Sequence, residues 1–404
     1  MSSQEEDEEL GIKPGVIIDS AKQKYTVINM LGEGGFGAVY KVHQSDDRTR
    51  EFAMKVEKKI ETRKHSKLKM EASLKGDLPS PLTTRSLQIA ILKLVGAKRA
   101  EKSHFTRIVD RGKKPAYFFL VMQLVGKSLA DLKAARPDKV LSIGTGLGVA
   151  SQCLEAVEDL HQHWFIHRDL KPANFACGLD AQKHVIYILD FGIARRLTNA
   201  ADELKTPRAV VGFKGTVRFA SLCCHSGLEM SKKDDCESWF YLLMDLVLQD
   251  GLPWRKMSDK NEVKGCKEAC RKEGNKNKDD LYKNHSKCRK ELAGILDYID
   301  GLQYHDIPDY SFIYASLKKA GAKCGVKNID GPFDWELEPH PNDRRRTKDG
   351  ADGHTNDAVE VQPGAKTAGV FLRASSNRLE RTAENSFRVS AGHVLSATER
   401  PTGP

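Results

Sequence analysis

A chain of 404 residues, 40% hydrophobic and 30% charged, can bury a large core and is too apolar to be disordered throughout. The acidic start MSSQEEDEEL has neither the basic residues nor the apolar stretch of a secretory signal, and the longest apolar run, Tyr241 to Leu248, is broken by Asp245; neither export nor a membrane span is expected, which leaves a cytoplasmic or nuclear protein. The net charge of +10 is concentrated in residues 264–290, where ten Lys/Arg stand against four Asp/Glu; this reads as a solvated face or a dock for acidic protein, and with Tyr282 its only aromatic ring no nucleic-acid partner is expected.

The first 21 residues, polar and acidic, are expected to be flexible, and from Tyr25 alternating apolar positions punctuated by glycine predict a small sheet. Residues 32–39, Gly-Glu-Gly-Gly-Phe-Gly-Ala-Val, fit G-x-G-x-x-G-x-V with Gly32, Gly34, Gly37 and Val39 in register. Without Cβ atoms such a turn can close over a triphosphate and offer it backbone N–H groups, while Val39 packs on an apolar base. Alone the pattern is weak, since glycine turns also occur in hairpins and dinucleotide folds. Sixteen residues beyond Val39 an alternating run, Glu51-Phe52-Ala53-Met54-Lys55, ends in a lysine suited to phosphates, which needs a carboxylate partner on the following helix; Glu71 is the candidate.

After Glu71 the helix is interrupted. Residues 72–88 contain Gly76, Pro79 and Pro81 before the apolar run Ile89-Ala90-Ile91-Leu92 begins, and proline inside a helix costs about 3 kcal/mol. The segment reads as a bulged loop that leaves Glu71 in place, as an insertion that disables the Lys55 pair, or as a wrongly joined gene segment, of which the last is favoured.

From Gly126 helical periods dominate, notably Gly146 to His161 and Asp235 to Gln249, with short strands near Phe175 and Ile186 to Leu189. Between them lies Ile166-His167-Arg168-Asp169-Leu170-Lys171-Pro172-Ala173-Asn174, a residue-for-residue match to H-R-D-L-x-x-x-N. Asp169 is placed to accept a hydroxyl proton, Lys171 to neutralise a transferring phosphoryl group, and Asn174 to meet a magnesium ion. Twenty-one residues after Asp169 comes Asp190-Phe191-Gly192, whose carboxylate suits the same hard cation. Beyond Trp335 the composition turns to Gly, Ser, Thr, Asn and Arg, and residues 337–404 are expected to form a disordered tail.

These signatures resemble those of protein kinases, and over residues 22–336 the chain is similar to the casein kinase 1 family. Gly215-Thr216-Val217-Arg218-Phe219-Ala220-Ser221 stands where most kinases carry Ala-Pro-Glu, followed by Asp234-Asp235-Cys236-Glu237-Ser238 and Gly251-Leu252-Pro253-Trp254. The wording Leu252-Pro253-Trp254-Arg255-Lys256, with Lys55-Val56-Glu57, leans toward the tau-tubulin kinase branch. The resemblance implies an α+β, two-lobed fold, ATP and Mg²⁺ as cofactors, and a monomeric serine/threonine kinase. It implies that Leu31, Val39 and Ala53 enclose the base, that Met122 is the gatekeeper beside an adenine-binding Gln123 and Leu124, and that Asp235 anchors the catalytic loop. It also implies acidic or phosphorylated protein substrates, met by an anion site at Arg218 and drawn in by Arg195, Arg196, Lys205, Arg208 and Lys214. The competing expectation is a pseudokinase scaffold in which the interruption after Glu71 has broken the Lys55 pair.

Overall fold

The computed structural model describes residues 12–34, 37–59, 84–96 and 103–337. The small lobe is an antiparallel sheet built from β1 (Ile17–Asp19), β2 (Lys24–Gly34), β3 (Gly37–Gln44), β4 (Asp47–Lys58) and, after helix α1 (Thr84–Gly96), β5 (Ile108–Lys113) and β6 (Tyr117–Gln123). Its strand order is β1-β2-β3-β4-β6-β5. Side chains alternate across a strand, so Tyr40 and Val42 of β3 go into an apolar core with Met54, Val56, Phe119 and Val121, and Val39 goes to the opposite face.

Two expectations change here. Residues 12–21 are not loose: Ile18 pairs with Tyr25 and is 1% exposed, because two apolar side chains, Ile12 and Ile18, outweigh the polar residues around them. Helix α1 begins at Thr84 rather than Ile89, since nothing between Leu82 and Val95 is glycine or proline once Pro81 has been passed. Glu71, residues 72–83 and the expected tail at 338–404 lie outside the described residues.

The large lobe holds α2 (Leu129–Ala135), α3 (Ile143–Gln162), the short strands β7 (Phe165–Ile166), β8 (Phe175–Cys177), β9 (Ile186–Ile188) and β10 (Arg195–Arg196), then α4 (Lys232–Val247), α5 (Lys260–Ala269), α6 (Lys276–Tyr282), α7 (Arg289–Gly301) and α8 (Tyr310–Lys323). Both predicted long helices start earlier than their apolar periods, because Ser142 caps α3 and a Ser231–Asp234 capping box opens α4. Of the 16 residues in α4, 15 are buried, so its polar groups must be satisfied inside. Trp239 Nε1 donates to Ala150 O at 2.8 Å, and Glu237 accepts from Leu222 N–H at 3.1 Å and from Arg271 at 3.0 Å.

The basic segment is largely consumed by the fold. Lys267 is 0% exposed, donates to the carbonyls of Val217 and Ala220 and lies 4.7 Å from the Tyr241 ring centroid. Arg271 joins Glu237 to Asp300, while Lys264, Lys278, Lys283 and Arg289 pair with Glu268, Glu273, Asp250 and Asp279. Six of the ten cations thus have internal partners. No described helix is long and apolar enough to cross a membrane.

Candidate active site

A cleft of about 840 Å³ opens between the sheet and the large lobe. Its roof follows from strand register: Val39 pairs with Lys55 and Ala53 with Met122, which puts Val39, Ala53 and Lys55 on one face. Leu31, Gly32 and Gly37 cover it, and Met122, Gln123 and Leu124 form its back wall. Gly34 closes the hairpin opposite Gly37. Gly37 has φ +121°, and a Cβ there would stand 2.0 Å from Val56 O, so the tight return toward β4 requires glycine. The Gln123 N–H donates to Arg107 O at 2.9 Å and is therefore not the donor free for a base; the expectation narrows to the Gln123 carbonyl and the residues after it.

Lys55, 7% exposed, stands at the junction of both lobes. Its Nζ lies 3.0 Å from Asp190 Oδ1 and 3.3 Å from Gln88 Oε1. Burial pushes the Asp190 carboxyl up, but the Lys55 ammonium and its hydrogen bond more than reverse this and hold it below the usual carboxylate range. Asp190 and Arg168 have φ of +58° and +71°, a left-handed conformation that non-glycine residues keep only when their surroundings enforce it. For Arg168 the enforcement is visible: Asp235 Oδ2 accepts from the His167 N–H at 2.6 Å and Oδ1 from the Arg168 N–H at 2.9 Å. Asp235 is itself fixed by His161 at 2.9 Å, whose contact helps hold the buried carboxyl low against the opposing effect of burial.

Beside the cleft-lining Asn174, Asp169 gathers three neighbours. Lys171 Nζ lies 2.9 Å from its Oδ2, Thr216 Oγ1 donates to its Oδ1 at 2.7 Å, and Asn174 Nδ2 donates to its backbone carbonyl at 2.8 Å. Lys171 also donates to Thr216 Oγ1 at 2.9 Å, so one hydroxyl ties the catalytic loop to the segment 47 residues later. Gly215 allows this approach: at φ +89° a Cβ would meet Arg168 O at 2.4 Å. The Asn174 amide nitrogen is on Asp169, and Asn174 and Asp190 both line the cleft, where their side-chain oxygens are hard donors of the kind magnesium takes. Among the described residues no group of three His, Cys, Asp or Glu could hold a metal, so an ion here would need further oxygens, such as those of phosphates.

The basic residues after Asp190 do not act as one patch. Arg195 and Arg208 bind Glu229 at 3.4 and 2.5 Å, and Arg196 binds Asp202 at 2.5 Å. Lys205 donates to Arg196 O at 2.9 Å. Burial pushes the Glu229 carboxyl up, while Arg208, Arg195 and Arg168 more than compensate and hold it low. Such a carboxylate stabilises the fold above its unfolded pKa of about 4.3, and the contribution is lost as pH falls through the lower folded value. Glu229→Gln is expected to cost about 2 kcal/mol at pH 7 in denaturant unfolding, less than a fully buried pair because Arg208 is half exposed, and the difference from wild type should vanish in acid. Equal stabilities at pH 7 would show that the cluster does not hold this segment.

Arg218 lies apart from that cluster. It lines a groove of about 380 Å³ with Lys139, Lys171 and Arg255, and its Nη2 donates to Arg255 O at 3.0 Å. The predicted Asp169, Lys171, Asn174, Asp190 and Lys55 come together in space. Sequence reasoning missed Gln88 at Lys55, the bridging role of Thr216 and the cation cluster around Glu229. Only Gln88 left a signal, a polar residue on the helical stripe of Ile91, Leu92 and Val95.

The family model described as the protein kinase domain matches residues 25–301. The chain is 29% identical over 330 residues to a Dictyostelium discoideum protein named "Probable serine/threonine-protein kinase", covering 81% of this chain and 59% of that protein's length. It is 30% identical over 335 residues to a Caenorhabditis elegans protein named "Putative casein kinase I", covering 81% and 86% of the two chains. A second Caenorhabditis elegans relative, the serine/threonine-protein kinase spe-6, is 29% identical over 328 residues, or 80% and 78% of the two chains.

Proposed function

The chain belongs to the protein kinase family, and from that premise we propose that it transfers the γ-phosphoryl group of ATP to serine or threonine hydroxyls of acidic or phosphorylated proteins, as a casein kinase 1-like enzyme of the tau-tubulin kinase branch. The observation that carries the reading is the placement of Asp169 between Lys171 and Thr216 and against the cleft-lining Asn174, with Lys55 and Asp190 3.0 Å apart in the same cleft.

Each residue then has a task. Asp169 accepts the proton of the acceptor hydroxyl and aims its oxygen. Lys171, on the same side, faces the phosphoryl group in transit, and Lys55 orients the phosphates behind it. Asp190 and Asn174 would hold magnesium, which when bound neutralises charge on the phosphates. Leu31, Val39 and Ala53 leave an apolar slot for the base.

The acidic preference is supported by the groove at Arg218, which Arg255, Lys139 and Lys171 also line, its one carboxylate, Asp245, being paired with Lys133. The test compares a peptide with an acidic or phosphorylated residue near the acceptor against a neutral one, in wild type and Arg218→Ala. Wild type is expected to favour the acidic peptide about tenfold, the effect of one charge-assisted contact, and Arg218→Ala to lose most of that preference. Equal turnover of the peptides by wild type would sink the substrate assignment, and no transfer above an Asp169→Asn control would sink the kinase reading. The alternative is a scaffold without turnover, which the same Asp169→Asn comparison tests.

A further inference from the structure

Val217, Arg218 and Ala220 belong to no helix or strand, so their carbonyls take donors from elsewhere in the fold. Two side chains, both 0% exposed, supply them. Lys267 Nζ donates to Val217 O at 3.1 Å and to Ala220 O at 2.6 Å, and Trp254 Nε1 donates to Arg218 O at 2.8 Å. An ammonium has three hydrogens. The third side of Lys267 faces His225 Nε2 at 3.2 Å, and burial together with the Lys267 charge pushes the His225 pKa down to about 4, which leaves that ring neutral and able to accept. The Tyr241 and Trp254 ring centroids stand 4.7 and 5.3 Å from the same nitrogen.

These partners are carbonyls, a neutral ring nitrogen and aromatic faces. A charge buried among them gains less than it would against a carboxylate, but three directed contacts fix where it sits. What it fixes lies between its two carbonyl contacts: Arg218, whose side chain lines the 380 Å³ groove, and the buried Phe219. Thr216, which donates to Asp169, immediately precedes them.

We propose that Lys267 is a positioning residue for peptide recognition: by holding the carbonyls of Val217 and Ala220 it presents the Arg218 guanidinium to the groove, and so sets the preference for acidic peptides without touching the peptide. This rests on the acidic-substrate reading above, and binding rather than turnover is its measure.

The test titrates fluorescent acidic and neutral peptides of otherwise equal sequence into the full chain at about pH 6, where peptide carboxylates are ionised and Lys267, with a pKa of about 7, keeps its third hydrogen. The chains are wild type, Lys267→Met, Lys267→Gln, Arg218→Ala and the Lys267→Met/Arg218→Ala double variant, with melting midpoints for each. Wild type is expected to bind the acidic peptide about tenfold more tightly than the neutral one, and Lys267→Met and Arg218→Ala to bind the two about equally. Lys267→Gln, whose amide is shorter, should keep part of the preference, and it decides the matter if Lys267→Met does not fold. The double variant should bind the acidic peptide no more weakly than Arg218→Ala, because one side chain acts through the other. A lysine variant that melts earlier with the preference intact would make Lys267 structural only and overturn the proposal. So would a further loss of affinity when Lys267→Met is added to Arg218→Ala. Equal binding of both peptides by wild type ends the acidic-substrate reading and the proposal with it, whereas a wild-type preference that both lysine variants retain ends the proposal alone.

Discussion

Asp169→Asn is expected to slow phosphate transfer by on the order of 10²- to 10⁴-fold, the range that a positioned general base contributes. The change is nearly isosteric. Asn keeps one oxygen to accept from Thr216, and the backbone carbonyl still accepts from Asn174, while its amide NH2 replaces the oxygen that accepts from Lys171 and, at 3.2 Å, from Asn174. What is lost is the charge that pairs with Lys171 at 2.9 Å and the basicity needed to take up the acceptor proton. Transfer of labelled phosphate to an acidic protein measures the rate, and an unfolding midpoint within experimental error of wild type confirms that the loss is chemical. Identical rates would refute the assignment of Asp169.

Lys55→Met is expected to reduce kcat by about 10²- to 10³-fold, comparable to removing one preorganised electrostatic donor from an active site. Its distinguishing mark lies in the pH profile. Burial raises the Asp190 carboxyl, and Lys55, with lesser help from His167 and the Gly192 N–H, overrides it, so the lysine is the main influence keeping Asp190 ionised toward low pH. With methionine the burial effect acts unopposed by that charge, the Asp190 pKa rises, and the acid limb of the residual activity moves to higher pH. A parallel loss at every pH would mean that Lys55 acts on the phosphates alone and does not tune Asp190.

Much of the catalytic apparatus was legible because its geometry is local. His167 to Asn174 and Asp190 to Gly192 are loops whose chemistry depends on spacings of a few residues, and Val39, Ala53 and Lys55 follow from two-residue strand alternation. What was not legible depends on contacts between distant segments. Thr216 reaches Asp169 across 47 residues, and Gln88 reaches Lys55 across 33. Charge was the most misleading quantity: Lys267 is sealed under two backbone carbonyls, and burial, the largest influence on its ammonium, lowers its pKa to about 7. Composition counts a lysine without knowing whether water will reach it.

Asp235 gives the catalytic loop a particular place in the hierarchy of motion. Two successive backbone N–H groups, one belonging to a residue in a left-handed conformation, are held by a single carboxylate on a helix buried along nearly its whole length. Releasing the loop therefore means breaking both bonds to that helix, so the position of Asp169 is anchored to the interior of the large lobe rather than to the surface around it.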